Sequence, residues 1–386
     1  MPFAADIHLC LVSENIAANL LPILDEQARP RQVVLVYPAA LSRYADGLGQ
    51  VINGLGGIGV SRCLLNEPDC VVAIRKALAE QLTCYQQHNI ALNTGGGSRL
   101  LSLLAYGLFR SAGKPVFYVD TEANRLIDLS EPEAESYQLS GKMTLEQVLQ
   151  VRGFEVQQRN AFAVRATHRA FAQELVANIR HYSQALANLH WLAASTASGL
   201  SSKPIESWQM ASPVFIALLD RLRDLGIAVV NHKCLVFTGE AERWFINGGW
   251  LEDYTNITLA SLSEQYEQVQ DIAAGFTVRQ DDEAAREIDT ALLVNNRLYL
   301  IECRAKKLKK GNAGRGAEAL HRADELREMN REFQARSLLL HYCPLREVDV
   351  RRLQLMGINV LQEKQLQNLR FYLQEWLFEG SDNDYR

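Results

Sequence analysis

The strongest constraint on the fold is a set of short segments that are apolar on both of their sides. They are "DIHLCLV" (6–12), "RQVVLVYP" (31–38), a stretch near 58–65, the start of "NIALNTGGGS" (89–98) and "KPVFYVD" (114–120). A strand that is wet on one face alternates apolar and polar residues; a strand apolar throughout is buried on both faces. Between these strands lie segments of helical period. "SENIAANLLPILDEQ" has Ser13 as its expected N-cap, and a helix is expected near 40–52. "EPDCVVAIRKALAEQLTCYQQH" carries Pro68 near its start, and "RLLSLLAYGLFRSAG" is closed by Gly113. Strands and helices that alternate in this way predict a parallel sheet covered on both faces, a Rossmann-like α/β domain over residues 1–150.

The pattern then changes. Helical periodicity dominates 167–194, and "AASTASGLSSKPIES" reads as a loop or hinge. "SPVFIALLDRLRDLGIAVVNHKCLVFTGEAERWFINGG" predicts helix, strand, turn and strand, a small winged-helix-like module within a linker over 151–247. Residues 248–386 form a third α/β unit. "GWLEDYTNITLASLSEQYEQVQ" is expected as one long helix, followed by an antiparallel hairpin, helix, strand, helix and strand.

A length of 386 residues suits two or three domains. The net charge of -5 argues against a chain that is basic all over, yet leaves room for a local basic patch. The N-terminal stretch has no basic leader pattern, and no segment approaches the roughly 18 apolar residues of a membrane span, so a cytoplasmic location without membrane contact is expected. The seven cysteines include no CxxC pair, which points to reduced thiols rather than a zinc site.

The hairpin "EIDTALLVNNRLYLIECRAKK" (287–307) carries the chemistry. Asn tolerates positive φ, so Asn295–Asn296 fits a two-residue type I′ turn. If Val294 pairs with Arg297, Asp289 stands directly opposite Glu302, with Cβ atoms about 4.5–5.5 Å apart. Like charges so placed destabilise a sheet unless a cation lies between them, and a hard ion such as Mg²⁺ or Mn²⁺ would serve. Arg304 shares the face of Glu302, and Lys306 joins it if the strand persists. A solvated surface hairpin is the plain alternative. Beyond it, Lys306, Lys307, Lys309, Lys310 and Arg315 form a basic run, a track for a phosphate backbone or simply a wet face. Gly311, Gly314 and Gly316 suggest a mobile loop there, and His321 on the next helix is either a phosphate contact or a surface residue.

In the first domain, "NTGGGSR" (93–99) joins a strand end to a helix start. Glycines let a backbone approach a ligand, and the open N–H groups of a helix start favour phosphate, with Arg99 adding charge. The motif is neither a dinucleotide fingerprint nor a P-loop; a tight strand-to-helix turn is the structural alternative.

Two resemblances follow. The hairpin resembles the core of the PD-(D/E)xK nucleases, a restriction-endonuclease-like fold. "GGWLEDY" resembles that family's opening helix, with Glu252 as a further metal ligand beside Asp289 and Glu302. The family has Lys where this chain has Arg304, a delocalised cation less suited to handling a water nucleophile; Lys306 taking over, or reduced activity, is implied. The N-terminal domain resembles the CARF (CRISPR-associated Rossmann fold) sensors. That likeness implies a ligand site built from Ser13, Glu14, Asn93, Thr94, Gly95, Gly96, Gly97, Ser98 and Arg99, with Tyr37 and Asp120–Thr121 as further lining. The order of parts is similar to that of the CARF nucleases of type III CRISPR defence. It implies a homodimer activated by a cyclic oligoadenylate, cyclic tetra-adenylate above all, that cleaves single-stranded RNA or DNA with Mn²⁺ or Mg²⁺. A ligand-responsive nucleic-acid-binding regulator without cleavage and an oligoadenylate-degrading ring nuclease are the rival expectations.

Overall fold

The protein is described by a computed structural model over residues 5–130, 136–160, 164–196, 199–280, 283–305 and 317–379, with side chains from 323 onward in the last segment. The basic run Lys306, Lys307, Lys309, Lys310 and Arg315, its glycines and the His321 side chain lie outside the described residues.

The first sheet contains β1 (Ile7–Leu11), β2 (Gln32–Pro38), β3 (Gly59–Leu65), β4 (Ile90–Asn93), β5 (Val116–Asp120), β6 (Arg125–Asp128) and β7 (Ser136–Gln138), in the order β3-β2-β1-β4-β5-β6-β7. β1 to β5 are parallel, and β6 and β7 add an antiparallel edge. Every residue of β1 is buried, as its unbroken apolar sequence requires. Its alternate residues serve two cores. Ile7, Leu9 and Leu11 pack under helices Val71–Cys84 and Arg99–Ser111, while Cys10 and Val12 face helices Ala17–Leu24 and Ser42–Leu55. Ser13 does not cap the first helix. That helix starts at Ala17 after Ile16, with no side-chain cap, and the Ser13 hydroxyl is buried without a hydrogen-bond partner.

The middle module has helices Ala166–Ala177, Ile179–Ala194 and Pro213–Asp224, and a sheet ordered β10-β11-β9. Its strands are β9 (Ser201–Pro204), β10 (Ala228–Asn231) and β11 (Cys234–Phe237). The hairpin of β10 and β11 gives the expected wing. The segment expected to be only loop or hinge also supplies β9, whose backbone pairs with β11.

The third sheet runs β16-β15-β14-β13-β12-β8. Its strands are β8 (Glu155–Asn160), β12 (Val269–Arg279), β13 (Arg286–Val294), β14 (Arg297–Arg304), β15 (Arg336–His341) and β16 (Ile358–Gln362). Two features differ from the sequence expectation. The long helix ends at Ser263, and the end of its pattern opens β12. The edge strand β8 comes from the linker span, more than a domain's length earlier in the chain, and pairs antiparallel with β12. One apolar core runs from the first sheet through helices Ser42–Leu55 and Leu145–Val151 to one face of the third sheet, where Leu298, Leu300 and Phe333 lie. The opposite face, with Ile301 and Cys303, shares a core with the middle module through Trp250 and Phe245. The sensor-like sheet and the hairpin are thus joined by continuous packing.

Candidate functional site

The hairpin turn forms as its sequence demands: Asn295 and Asn296 have φ of 48° and 63°, the positive values a type I′ turn needs. The register Val294–Arg297 continues through Leu292–Tyr299 to Thr290–Ile301, and the ladder ends there. Asp289 and Glu302 are the next positions in that same register, one step beyond the last ladder pair. At the next position the Asp289 side chain enters the ladder: Cys303 N–H donates to Asp289 Oδ2 at 2.8 Å.

The cause lies in the neighbouring strand. Asp289 falls between the pairs Thr290–Ala274 and Ile288–Phe276, across from Gly275, whose φ is +54°. The positive φ favours glycine here, and a Cβ would sit 2.2 Å from Asn160 Nδ2, so the Asn160 side chain lies directly over Gly275. The kink shifts the alternation: Ala291 and Leu293 face the shared core, and so does Ile288. The register of β13 on β12 is the same on both sides of Asp289, while β12 shifts against β8 at Gly275, and the Asp289 carboxylate turns to the Cys303 N–H.

Glu302 is 1% exposed and is ion-paired with the Arg304 guanidinium, two residues on along the same face. Arg304 is about one-third exposed at its side chain, and its Nε is buried without a partner. Glu252 comes from the first turn of helix Trp250–Ser263, which packs on the other face of β14. Burial, and after it the charges of Asp289 and Glu302, pushes the Glu252 carboxyl well above the usual carboxylate range. The Cys303 thiol is pushed up by burial and then by Asp289. The three carboxylates expected from sequence are thus brought into electrostatic contact, with Arg304 at their edge.

Among the described residues no three His, Cys, Asp or Glu side chains form a ready-made metal cage. The donors are oxygens carrying excess negative charge. That set fits a hard ion which keeps most of its waters and takes one or two carboxylates, as Mg²⁺ does. It does not fit a soft or tetrahedral centre.

Sequence reasoning passed over His341. In the parallel ladder of β14 and β15 it is the partner of Arg304, it is 2% exposed, and its Nδ1 lies 2.7 Å from the Cys343 carbonyl oxygen. Burial, with Arg304 adding to it, lowers its pKa, so the ring is neutral. An isolated His before a Tyr-Cys pair carries no signal of this; only the strand register brings it to the site.

In the first domain the loop 93–99 lies against the end of β1. A Cβ on Gly96 would stand 2.1 Å from the Leu11 carbonyl oxygen and 3.1 Å from Ser13 Oγ. The glycine is required by this approach, and it brings Ser13 to the loop. Asn93 and Thr94 shape the loop itself. Asn93 Nδ2 donates to the Ala18 carbonyl and its Oδ1 accepts from Gly95 N–H, while Thr94 Oγ1 donates to the Phe117 carbonyl. Ser98 caps helix Arg99–Ser111 by accepting from Leu101 N–H, and Arg99 is exposed on its first turn. Asp120 is turned to its own loop, where Oδ1 accepts from the N–H groups of Glu122 and Ala123.

Two contacts tie this end to the hairpin domain. Gln334 Nε2 donates to Glu14 Oε2 at 2.6 Å. Asn296 Nδ2, at the hairpin tip, donates to the Thr121 carbonyl at 2.7 Å and to Asn124 Oδ1 at 2.6 Å, and Arg297 is ion-paired with Glu122.

The sequence profile of the Card1 CARF domain matches residues 7–148, and that of the Card1-like endonuclease domain matches residues 239–379. The chain is a Card1-like CARF domain joined to a Card1-like endonuclease domain. Among solved structures, protein VC1899 from Vibrio cholerae is similar over 96% of this chain and 97% of its own, at 24% identity and a TM-score of 0.84. Can2 from Sulfobacillus thermosulfidooxidans, solved with cyclic tetra-adenylate, matches over 97% of both chains at 24% identity and a TM-score of 0.78. A type III CRISPR defence DNA nuclease activated by cyclic oligoadenylate matches over 90% of this chain but 48% of its own, at 18% identity and a TM-score of 0.51. At these identities the likeness establishes the fold. No curated protein matches the chain. No helix among the described residues is long and apolar enough to cross a membrane. The CARF domain contains the loop 93–99, and the endonuclease domain contains Glu252, Asp289, Glu302 and Arg304.

Proposed function

We propose that this chain is an endonuclease of antiviral CRISPR defence, switched on by a cyclic oligoadenylate held in its CARF domain, that cuts single-stranded RNA or DNA with a divalent cation. The observation that carries the proposal is the Asp289 carboxylate taking the Cys303 N–H, next in the chain to the buried Glu302 and its Arg304 partner, within an endonuclease domain. Can2, of the same fold along its length, was solved with cyclic tetra-adenylate, and that ligand is the activator proposed here.

Asp289 and Glu302 would hold the ion, Mg²⁺ or Mn²⁺, with Glu252 beside them. Once bound, the ion supplies Lewis acidity toward the phosphate and lowers the pKa of a coordinated water. The chain's own residues do the rest. Cys303 N–H fixes the orientation of Asp289. Arg304 neutralises Glu302 at rest and is placed to stabilise charge on the phosphate. A delocalised guanidinium is a weak manager of the attacking water, so slow cleavage is expected. Lys306, or a flanking cation from Lys307, Lys309, Lys310 and Arg315, would compensate and guide the backbone.

In the CARF domain, Ser13, Gly95, Gly96, Gly97 and Arg99 would meet the phosphates. A symmetric ring suits a two-fold dimer. The exposed Leu100, Leu103 and Tyr106 on helix Arg99–Ser111, which starts at the loop, supply an apolar face for such a pairing. Glu14 and the Thr121–Asn124 turn flank the loop and already hold Gln334 and Asn296 of the endonuclease domain. A ligand that re-pairs either one would bias the hairpin directly.

Labelled single-stranded RNA and DNA are incubated with the protein in Mn²⁺ or Mg²⁺, with and without cyclic tetra-adenylate. Cleavage that needs both ligand and metal, and is lost in Asp289→Asn, is expected. Absence of cleavage under every combination, with ligand still bound, would overturn the nuclease reading in favour of a regulator. Ligand consumption that survives Asp289→Asn would place the chemistry in the CARF domain instead.

A further inference from the structure

A cavity of about 800 Å³ opens between the middle module and the endonuclease domain, lined by residues that include Trp191, Trp208, His341 and Arg346. Large aromatics usually turn their rings inward. Here Trp191 is 44% and Trp208 is 62% exposed, on two different helices that share the one cavity. Each presents a broad apolar face where water would otherwise be bound loosely.

The charges in the cavity are already matched. Arg346 is bound to Asp349 through Nε–Oδ2 at 2.7 Å and Nη2–Oδ1 at 3.0 Å, and the Glu206 carboxylate caps the helix Ser207–Met210. Among the described lining residues the one Lys or Arg, Arg346, is already paired, and a neutral planar group fits better than a phosphate. One buried polar atom of the lining is unclaimed: Nε2 of His341 has no hydrogen-bond partner, while Nδ1 is engaged by the Cys343 backbone.

The position is as informative as the chemistry. His341 ends β15 and is the ladder partner of Arg304, which ends β14. Neighbouring strands lie about 4.8 Å apart. The cavity therefore begins one strand away from the candidate catalytic cation, at the end of the sheet where the chain leaves for its basic run.

We infer that this cavity is a base-stacking subsite, in which an unpaired nucleobase next to the scissile phosphate is gripped by Trp208 and Trp191. The inference rests on the nuclease reading for its substrate class, and it names what that class must contain: a base free of a Watson–Crick partner. Stacking tolerates every base because each has a π-face, so the subsite selects single strands without selecting sequence. A duplex, whose bases stack on one another, could not enter.

The test uses full-length Asp289→Asn protein, with cyclic tetra-adenylate and Mn²⁺ present, and follows quenching of tryptophan fluorescence by an unlabelled single-stranded oligonucleotide. About tenfold weaker binding is expected for Trp208→Ala and Trp191→Ala, with Trp208→Phe retaining most of the affinity. An oligonucleotide carrying abasic sites beside the cleavage position should bind as weakly to the parent as the intact one binds to Trp208→Ala, and the two changes together should add nothing. Equal loss on intact and abasic strands, or none at all, would overturn the subsite. Base-dependent quenching by a protein whose Asp289 form never cleaves would keep the subsite and reject the nuclease. Cleavage indifferent to both tryptophans would do the reverse.

Discussion

Replacing Arg304 by Ala isolates the electrostatic logic of the candidate centre. Glu302 is 1% exposed, and its ion-pair partner is the Arg304 guanidinium. Without it, a buried carboxylate beside Asp289 and Glu252 loses this ion pair. Breaking a fully buried pair costs about 3–5 kcal/mol. Arg304 is about one-third exposed, so water replaces part of it, and a loss of about 1–3 kcal/mol is expected. For a chain this long that is a fall in Tm of about 2–5 °C. The assay is thermal unfolding in chelator and again in excess Mn²⁺. A divalent cation bound by Asp289 and Glu302 takes over the neutralisation, and without Arg304 it no longer competes with that guanidinium. The Mn²⁺-induced rise in Tm should therefore be larger in Arg304→Ala than in the parent, recovering most of the loss. An equal fall with and without Mn²⁺ would refute the reasoning, because it would mean that no cation enters between these carboxylates.

Three further outcomes follow from the same geometry. Glu252→Gln removes a carboxyl whose folded pKa is raised, a group that weakens the fold as pH climbs from its unfolded value to its folded one. Chemical unfolding in chelator should find the variant more stable than the parent at neutral pH, by about 1.4 kcal/mol per unit of raised pKa, and equal to it in acid, with weaker stabilisation by Mn²⁺ in both cases. Asn296→Gly keeps the positive φ of the turn and deletes the bonds to Thr121 and Asn124. At about 1 kcal/mol each, their loss should change the ratio of ligand-stimulated to basal cleavage by at least about fivefold while ligand affinity measured by calorimetry moves much less. An unaltered ratio would exclude the hairpin tip as a coupling element. Gly96→Ala drives a methyl into the Leu11 carbonyl; about 1–3 kcal/mol of overpacking should disorder the loop and abolish cyclic tetra-adenylate binding by calorimetry, whereas retained binding would separate the loop from the ligand site.

What could be read from the sequence was what depends on near neighbours. The Asn295–Asn296 turn, the register of the hairpin and the buried parallel strands follow from period and turn chemistry within a few residues. The arithmetic from that register holds to Thr290–Ile301, one pair short of Asp289 and Glu302, where the Asp289 side chain instead takes the Cys303 N–H. Gly275 and Asn160, where β12 shifts against β8 across from Asp289, lie outside a local reading of 287–307. β8 was missed for the same reason: "EVQQRN" is a polar segment that becomes a strand only because the edge of β12 is waiting for it. Ser13 looked like a cap because Ser before an apolar period usually is one, and the helix instead began after Ile16, leaving Ser13 beside Gly96. Glu14 with Gln334, Thr121 with Asn296, and Arg304 with His341 are pairs whose members sit in separate elements; no spacing rule links them.

The pairing of β8 with β12 also bears on how such a chain is made. During synthesis Glu155–Asn160 leaves the ribosome well before Val269–Arg279 exists, and the CARF domain that precedes it can fold in the interval. The polar character of "EVQQRN" keeps this waiting strand soluble, where an apolar one would invite intermolecular pairing. When β12 arrives, its alignment with β8 sets Asn160 over Gly275 and bends the sheet at Asp289. The endonuclease centre thus takes its final shape only on a chain whose sensor half has already been delivered, so a product cut short before β12 carries the sensor without the centre it would control.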